Sequence, residues 1–77
     1  MDIPAAEWLE AFAQQLGIDA PNEQEREDLL ALAGTAARSS ERIAAPISCW
    51  MAARAGITAK EACDVARRVE VEGFDDV

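Results

Sequence analysis

The chain has 77 residues, with 15 acidic and 7 basic side chains, no histidine and a formal net charge of −8. This length allows one domain, and the lack of histidine removes the commonest general base and metal ligand. The negative balance disfavours nucleic acids and anionic membrane surfaces as partners, because both attract clusters of lysine and arginine.

The first predicted helix begins after Ile3-Pro4, with Asp2 as its N-terminal cap. Its apolar side chains recur at helical spacing at Ala5, Trp8, Leu9, Phe12 and Leu16. Gly17 is expected to end this helix in a left-handed conformation, which glycine adopts without steric cost.

The second predicted helix begins at a capping box formed by Asn22 and Glu25. Several acidic residues crowd its first turns, where the helix dipole favours negative charge. We interpret them as stabilising the helix and keeping the chain in solution; a protein-facing acidic patch is the alternative. The apolar face of this helix is wide and contains Leu29, Leu30, Leu32, Ala33, Ala36 and Ala37.

A polar break at residues 38–42 precedes the third helix. Pro46 lacks a backbone donor, so we expect a short turn before it and a helix that begins there; a longer, kinked helix is the alternative. Trp50 shares an apolar face with Ile47 and Met51, and this spacing predicts that Trp50 lies in the core.

The fourth predicted helix begins at a full capping box, Thr58 and Glu61. Cys49 and Cys63 lie on or beside apolar faces, and both are predicted to be buried free thiols. We expect residues 70–77, which include Phe74, to form a frayed acidic tail. The predicted buried stripe of the helix is Ala62, Val65, Ala66 and Val69.

These elements predict an all-α fold, a compact antiparallel bundle of four short helices with short connectors, in one domain over residues 1–69. No apolar run approaches the roughly 18 residues needed to span a bilayer, and no secretory signal is apparent, so we expect a cytoplasmic protein. Alanine-rich faces supply little apolar area, which favours marginal stability or a dimer.

The sequence does not predict an enzyme, a metal site or a cofactor, because neither cysteine has a histidine base and no glycine-rich phosphate loop is present. The best candidate is a binding surface at the polar break. Its predicted residues are Arg38, Ser40, Glu41, Arg42 and Pro46.

Two alternatives stay open for this binding role. Two guanidinium groups, hydroxyls and backbone amides at residues 38–42 could bind a small phosphorylated ligand. Residues 52–68 also resemble a helix-turn-helix, although the second helix would present Glu61 and Asp64 to DNA beside its basic residues, Lys60, Arg67 and Arg68.

Four short runs carry a resemblance: Leu29-Leu30-Ala31-Leu32-Ala33, Ser40-Glu41-Arg42, Ala44-Ala45-Pro46-Ile47 and Ala52-Ala53-Arg54-Ala55-Gly56. Over about residues 6–69 the chain resembles a small bacterial all-helical domain family of unknown function. That family is similar to a segment attached to some molybdenum-cofactor guanylyltransferases, which join a guanine nucleotide to molybdopterin.

The resemblance implies an accessory role near molybdenum-cofactor maturation and no guanylyltransferase activity, since the nucleotide-binding domain of those enzymes is not part of the match. We therefore predict a non-catalytic interaction module with a protein partner, a molybdenum-cofactor enzyme. A homodimer formed through an exposed apolar stripe is a further alternative.

Overall fold

A computed structural model describes residues 3–72, apart from the side chains of residues 71 and 72. The described residues form four helices and no strand, which confirms the predicted all-α bundle with short connectors. The helices are α1 (Ala5–Leu16), α2 (Glu23–Ser39), α3 (Ala44–Ala55) and α4 (Ala59–Glu72). None of them is long and apolar enough to cross a membrane.

Both predicted capping boxes are present. At the start of α2, the Asn22 N–H donates to Glu25 Oε1 at 2.9 Å, and the Glu25 N–H donates to Asn22 Oδ1 at 2.8 Å. Before α4, the Thr58 N–H donates to Glu61 Oε1 at 2.9 Å, and the Glu61 N–H donates to Thr58 Oγ1 at 3.0 Å. The hydrogen bond from the Thr58 backbone, with that to its side chain, lowers the pKa of Glu61 below its ordinary value.

Gly17 ends α1 as predicted, with a φ of 73°. The Ile18 N–H donates to the Ala13 carbonyl at 3.0 Å and the Gly17 N–H to the Gln14 carbonyl at 3.2 Å, which is the Schellman arrangement. At the other end of α1, Pro4 occupies the N-cap position without a side-chain hydrogen bond. The predicted cap, Asp2, lies outside the described residues.

The third helix begins at Ala44, two residues before the position predicted for its start. Pro46 therefore lies inside the first turn. The first N–H groups of a helix have no partner within it, so a proline in this turn removes no helical hydrogen bond. A turn does precede the helix, because the Ala44 N–H donates to the Glu41 carbonyl at 2.9 Å.

The core lies where α2 packs against α3 and α4, whereas α3 and α4 contact each other only slightly. Its buried residues are Leu32, Ala62 and Cys63, with partly buried side chains of α3 and α4 packed around them. No large side chain is completely buried in the described part of the chain. The bundle is therefore built on close approach of small residues to one leucine.

Helix α1 stands apart from this core. Within residues 3–72, no Cα of α1 comes within 8 Å of a Cα of another helix, and Ala13 is its only buried residue. A shallow groove lined by Leu9 of α1 and by Leu29 and Leu30 of α2 separates it from the first half of α2. Most of the large apolar surface of α1 consequently faces solvent.

Helix α4 continues past Val69, where the sequence predicted the domain to give way to a tail, and extends to Glu72. Residues 73–77, including Phe74, lie outside the described residues. The polar side chains of α2 and α4 meet near this end, because Ser39 Oγ lies 3.3 Å from Glu70 Oε2.

Candidate functional site

The predicted binding residues all lie in one segment, residues 38–46, which contains the end of α2 and the first turn of α3. Arg38 is on the last turn of α2, and its Nη2 lies 3.5 Å from Thr35 Oγ1. Gly34 makes room for this arrangement, since a Cβ there would lie 3.0 Å from Arg38 Nη1. The Arg38 guanidinium is therefore directed back along α2.

The other predicted binding residues are exposed, as Arg38 is. Ser40 caps the C-terminus of α2, and its N–H donates to the Ala36 carbonyl at 3.1 Å. Glu41, Arg42 and Pro46 present their side chains to solvent. Within the described chain the only ion pair joins Arg67 and Asp64, so Arg42 keeps its charge available.

The backbone at the start of α3 offers few donors to a ligand. The Ala44 and Ala45 N–H groups already donate to the carbonyls of Glu41 and Arg42, at 2.9 Å and 3.1 Å, and Pro46 has no N–H. A phosphorylated ligand would depend on the side chains of Arg42 and Ser40. The site therefore offers a phosphate fewer free N–H donors than the sequence suggested, and binding of a phosphorylated ligand stays a prediction.

An apolar surface on α3 continues from this segment. We define the outer face of α3 as Ile43 at its N-cap together with Ile47 and Trp50; these side chains are between 54% and 66% exposed. The prediction that Trp50 lies in the core is therefore wrong. The Arg54 guanidinium covers one side of the indole, 5.3 Å from the ring centroid. Trp50 is displaced to the surface because the small side chains of α3 face α2 instead.

A second apolar surface lies in a groove between α2, α3 and α4, which we name the central groove. It has a volume of about 440 Å³ and an almost wholly apolar lining. Val65 and Val69 were predicted to be buried; they are instead 40% and 46% exposed and line this groove. The other lining residues are Leu32, Thr35, Ala36, Ser39, Ser40, Ala44, Ser48, Met51, Ala52, Ala55, Ile57, Ala62 and Ala66.

Sequence reasoning missed the central groove because its walls come from three helices, and its shape depends on how closely those helices pack. The sequence contains one indication of such a groove, namely helix faces rich in alanine that also carry Val65, Val69 and Met51. Helices that approach closely through small residues leave the larger neighbours of those residues along an open cleft.

The two cysteines tie α3 and α4 to α2. Cys63 is buried and its Sγ lies 2.8 Å from the Asp28 carbonyl, while Cys49 is half-buried with its Sγ 4.0 Å from the Leu29 carbonyl. Burial raises the pKa of the Cys49 thiol; a hydrogen bond with Ser48 partly opposes this, and the nearby Cys63 adds to it. These are the environments of structural thiols. The described residues contain no cluster of three potential metal ligands.

The helix-turn-helix alternative also has a counterpart in the fold, since a short turn at residues 56–58 joins α3 and α4. On α4, Arg67 pairs with Asp64 at 3.3 Å and Glu61 is engaged in the capping box. Lys60 and Arg68 are exposed. DNA binding by this helix stays a prediction.

A family described as Domain of unknown function (DUF6457) matches residues 3–73, which include every described residue. The chain belongs to this family. Membership in DUF6457 confirms the resemblance to a small domain family of unknown function, and the match covers the outer face of α3, the central groove and residues 38–46 alike. No curated protein and no solved structure matches this DUF6457 chain.

Proposed function

We propose that this chain is a non-catalytic interaction module, and that its protein partner docks on the outer face of α3 together with Arg42 and Pro46. The observation that carries the proposal is the exposure of Ile43, Ile47 and Trp50 on one helix face. Contiguous apolar side chains with a polar margin are typical of protein-binding surfaces.

The composition of this surface matches that of interaction hot spots. Tryptophan and arginine dominate the binding energy of many interfaces, and this face offers Trp50 with Arg54 already stacked on it. The stacking limits the conformational freedom that either side chain would lose on binding. A complementary partner would therefore offer an apolar cleft for Trp50 with carboxylates near Arg54 and Arg42.

The non-catalytic part of the proposal is supported by the chemistry of the available nucleophiles. The chain has no histidine, and the raised pKa of Cys49 keeps its thiol protonated near neutral pH. Both cysteines are free, as expected for a reducing compartment, and we include a cytoplasmic location in the proposal on this ground.

We further propose that the partner is a molybdenum-cofactor enzyme, so that the module serves as an accessory domain in the synthesis of the molybdopterin guanine dinucleotide cofactor. This choice is supported by the resemblance of Ser40-Glu41-Arg42 and Ala44-Ala45-Pro46-Ile47 to the segment attached to some guanylyltransferases. It identifies the first enzyme to test.

The test is a binding titration with a purified molybdenum-cofactor guanylyltransferase, using Trp50→Ala and Arg42→Ala as surface variants. We expect each to weaken binding about tenfold or more, which corresponds to about 1.4 kcal/mol. Leu30→Ala is the matched control, because Leu30 is 73% exposed and lies on another helix face.

Unchanged affinity in both surface variants would refute the assignment of the outer face of α3. No binding by the wild-type chain would refute the choice of partner.

A further inference from the structure

We propose that the central groove receives α1 from a second copy of this chain, and that two copies exchange this contact symmetrically. The inserted surface is the α1 ridge, which consists of Trp8, Phe12 and Leu16. These side chains are 53%, 47% and 55% exposed. This interface is separate from the outer face of α3, so the two copies keep that face open.

The α1 ridge and the central groove agree in length and shape. Helix α1 has 12 residues and is about 18 Å long, and α3, which forms one wall of the groove, also has 12 residues. Trp8 and Phe12 stack with their ring centroids 5.0 Å apart, so they form one broad apolar ridge. The groove walls carry small side chains, such as Ala52 and Ala55, which leave space for aromatic rings.

The α1 of the same chain is not placed to fill the groove. The connector at residues 17–22 joins α1 to the N-terminal end of α2, and α1 lies beside Leu29 and Leu30. The α2 side of the groove, in contrast, runs from Leu32 to Ser40. A second copy can bring the α1 ridge to this site while its own α1 stays where it is.

Charge disfavours the pairing of two α1 ridges and permits contact between α1 and the groove. Helix α1 contains Glu7 and Glu10 and no basic residue. Residues 38–72, which include α3 and α4 and supply two walls of the groove, contain six basic and five acidic side chains, and no charged residue lines the groove itself. Pairing two α1 ridges would bring two acidic helices together, whereas contact between α1 and this region, which has a net charge of +1, avoids that repulsion.

The chain exposes more surface than is expected of a compact monomer of its mass. The accessible surface is 6233 Å², about 1,600 Å² above the roughly 4,600 Å² expected for a folded monomer of 8.3 kDa. A symmetric dimer would cover the ridge and the groove of each copy, and so would remove apolar area from water at two contacts.

The test is the mass of the full chain in solution, measured by sedimentation at low micromolar concentration. We expect the wild type at twice 8.3 kDa. Phe12→Glu in the ridge and Met51→Glu in the groove should each reduce the mass to that of a monomer. Both side chains are about half exposed, so the helical circular dichroism signal should persist; Trp8→Glu replaces Phe12→Glu if it does not.

Mixing the Phe12→Glu and Met51→Glu variants gives the most decisive test. Each variant alone alters both contacts of a symmetric dimer, but a mixed pair retains one wild-type ridge in one wild-type groove. We therefore expect dimers to return on mixing. Leu30→Glu is the matched control and should stay dimeric, and Trp50→Ala should stay dimeric while losing the partner of the proposed function.

Three results would overturn the proposal. A monomeric wild type would do so, whether α1 remains exposed or closes on its own groove. Dimers that survive both glutamate substitutions would place the interface elsewhere. Monomeric variants that fail to pair on mixing would show that the ridge and the groove do not contact each other.

Discussion

Helices α1 and α4 are similar in length, with 12 and 14 residues, yet they relate to the rest of the chain in opposite ways. Helix α4 buries Ala62 and Cys63 against α2. Helix α1 carries much larger apolar residues, Trp8 and Phe12 among them, and leaves both about half exposed. Burial in this chain follows close helix approach, which small side chains permit and bulky ones prevent.

In many proteins one hydrophobic face both holds the fold together and contacts other molecules, whereas in this chain different side chains serve these two purposes. The contacts of α2 with α3 and α4 hold the fold, while the large apolar side chains of α1 and of the outer face of α3 are available to other molecules. Substitutions at buried positions of α2 and α4 should therefore change the free energy of unfolding, and matched substitutions at exposed positions outside the α1 ridge and the central groove should leave it almost unchanged.

The largest expected effect is that of Leu32→Ala. Leu32 is the one large aliphatic side chain in the buried cluster, so its truncation should lower the free energy of unfolding by about 2–5 kcal/mol. Urea denaturation followed by circular dichroism measures this. Leu30→Ala on the same helix is the control, with an expected change within about 0.5 kcal/mol. Equal losses of unfolding free energy in Leu32→Ala and Leu30→Ala would mean that the buried cluster does not hold the fold.

Ala62→Leu tests the close approach of α2 and α4. Ala62 is buried against α2, so methylenes added on that side should overpack the contact and lower the free energy of unfolding by about 1–3 kcal/mol. Ala11→Leu makes the same change on the exposed side of α1 and should be nearly neutral. The same denaturation measurement serves both variants, and a neutral Ala62→Leu would mean that the central groove, which Ala62 also lines, accommodates the larger side chain.

Thr58→Ala removes the cap of α4 and should lower the free energy of unfolding by about 1 kcal/mol, because the Glu61 N–H loses its acceptor. Thr58→Ser keeps the hydroxyl and should retain most of the stability. Thermal unfolding of the three proteins measures the difference. Identical melting temperatures for alanine and serine would show that the hydroxyl does not stabilise the helix.

The smallest effect is the pH dependence of the same capping box. The pKa of Glu61 is lower in the folded chain than in the unfolded one, so its stabilising contribution is present above the unfolded value of about 4.3. It is lost as the pH falls through the folded pKa. Melting temperatures measured from neutral to acidic pH should therefore decline less in Glu61→Gln than in the wild type.

Glu10→Gln on α1 is the control for this titration and should follow the wild-type profile. If the melting temperatures of Glu61→Gln and the wild type decline in parallel, the capping box does not contribute to the acid sensitivity of the chain.

The four helices and most of their ends could be predicted from the sequence because their determinants are local, although the start of α3 was predicted two residues too late. The Asn22 and Thr58 caps each act on a residue three positions further along, and Gly17 ends α1 through its own backbone conformation. The location of residues 38–46 at a helix junction was predicted for the same reason, since the polar break and Pro46 are adjacent in the chain.

The face that each helix presents to the core could not be predicted in this way. Hydrophobicity ranks Trp50 far above Ala52, yet Ala52 packs toward the buried cluster and Trp50 faces solvent. The choice depends on how closely α3 can approach α2, which is a property of both helices. The central groove depends on how three helices pack together, so no local sequence pattern predicts it.

The central position of α2 bears on how the chain assembles. Helices α3 and α4 both pack against α2 and scarcely touch each other, so neither requires the other in order to dock. A chain emerging from the ribosome presents α2 before α3, and α3 before α4. Each later helix therefore meets a docking surface that has already been synthesised, and the fold can grow in the direction of translation.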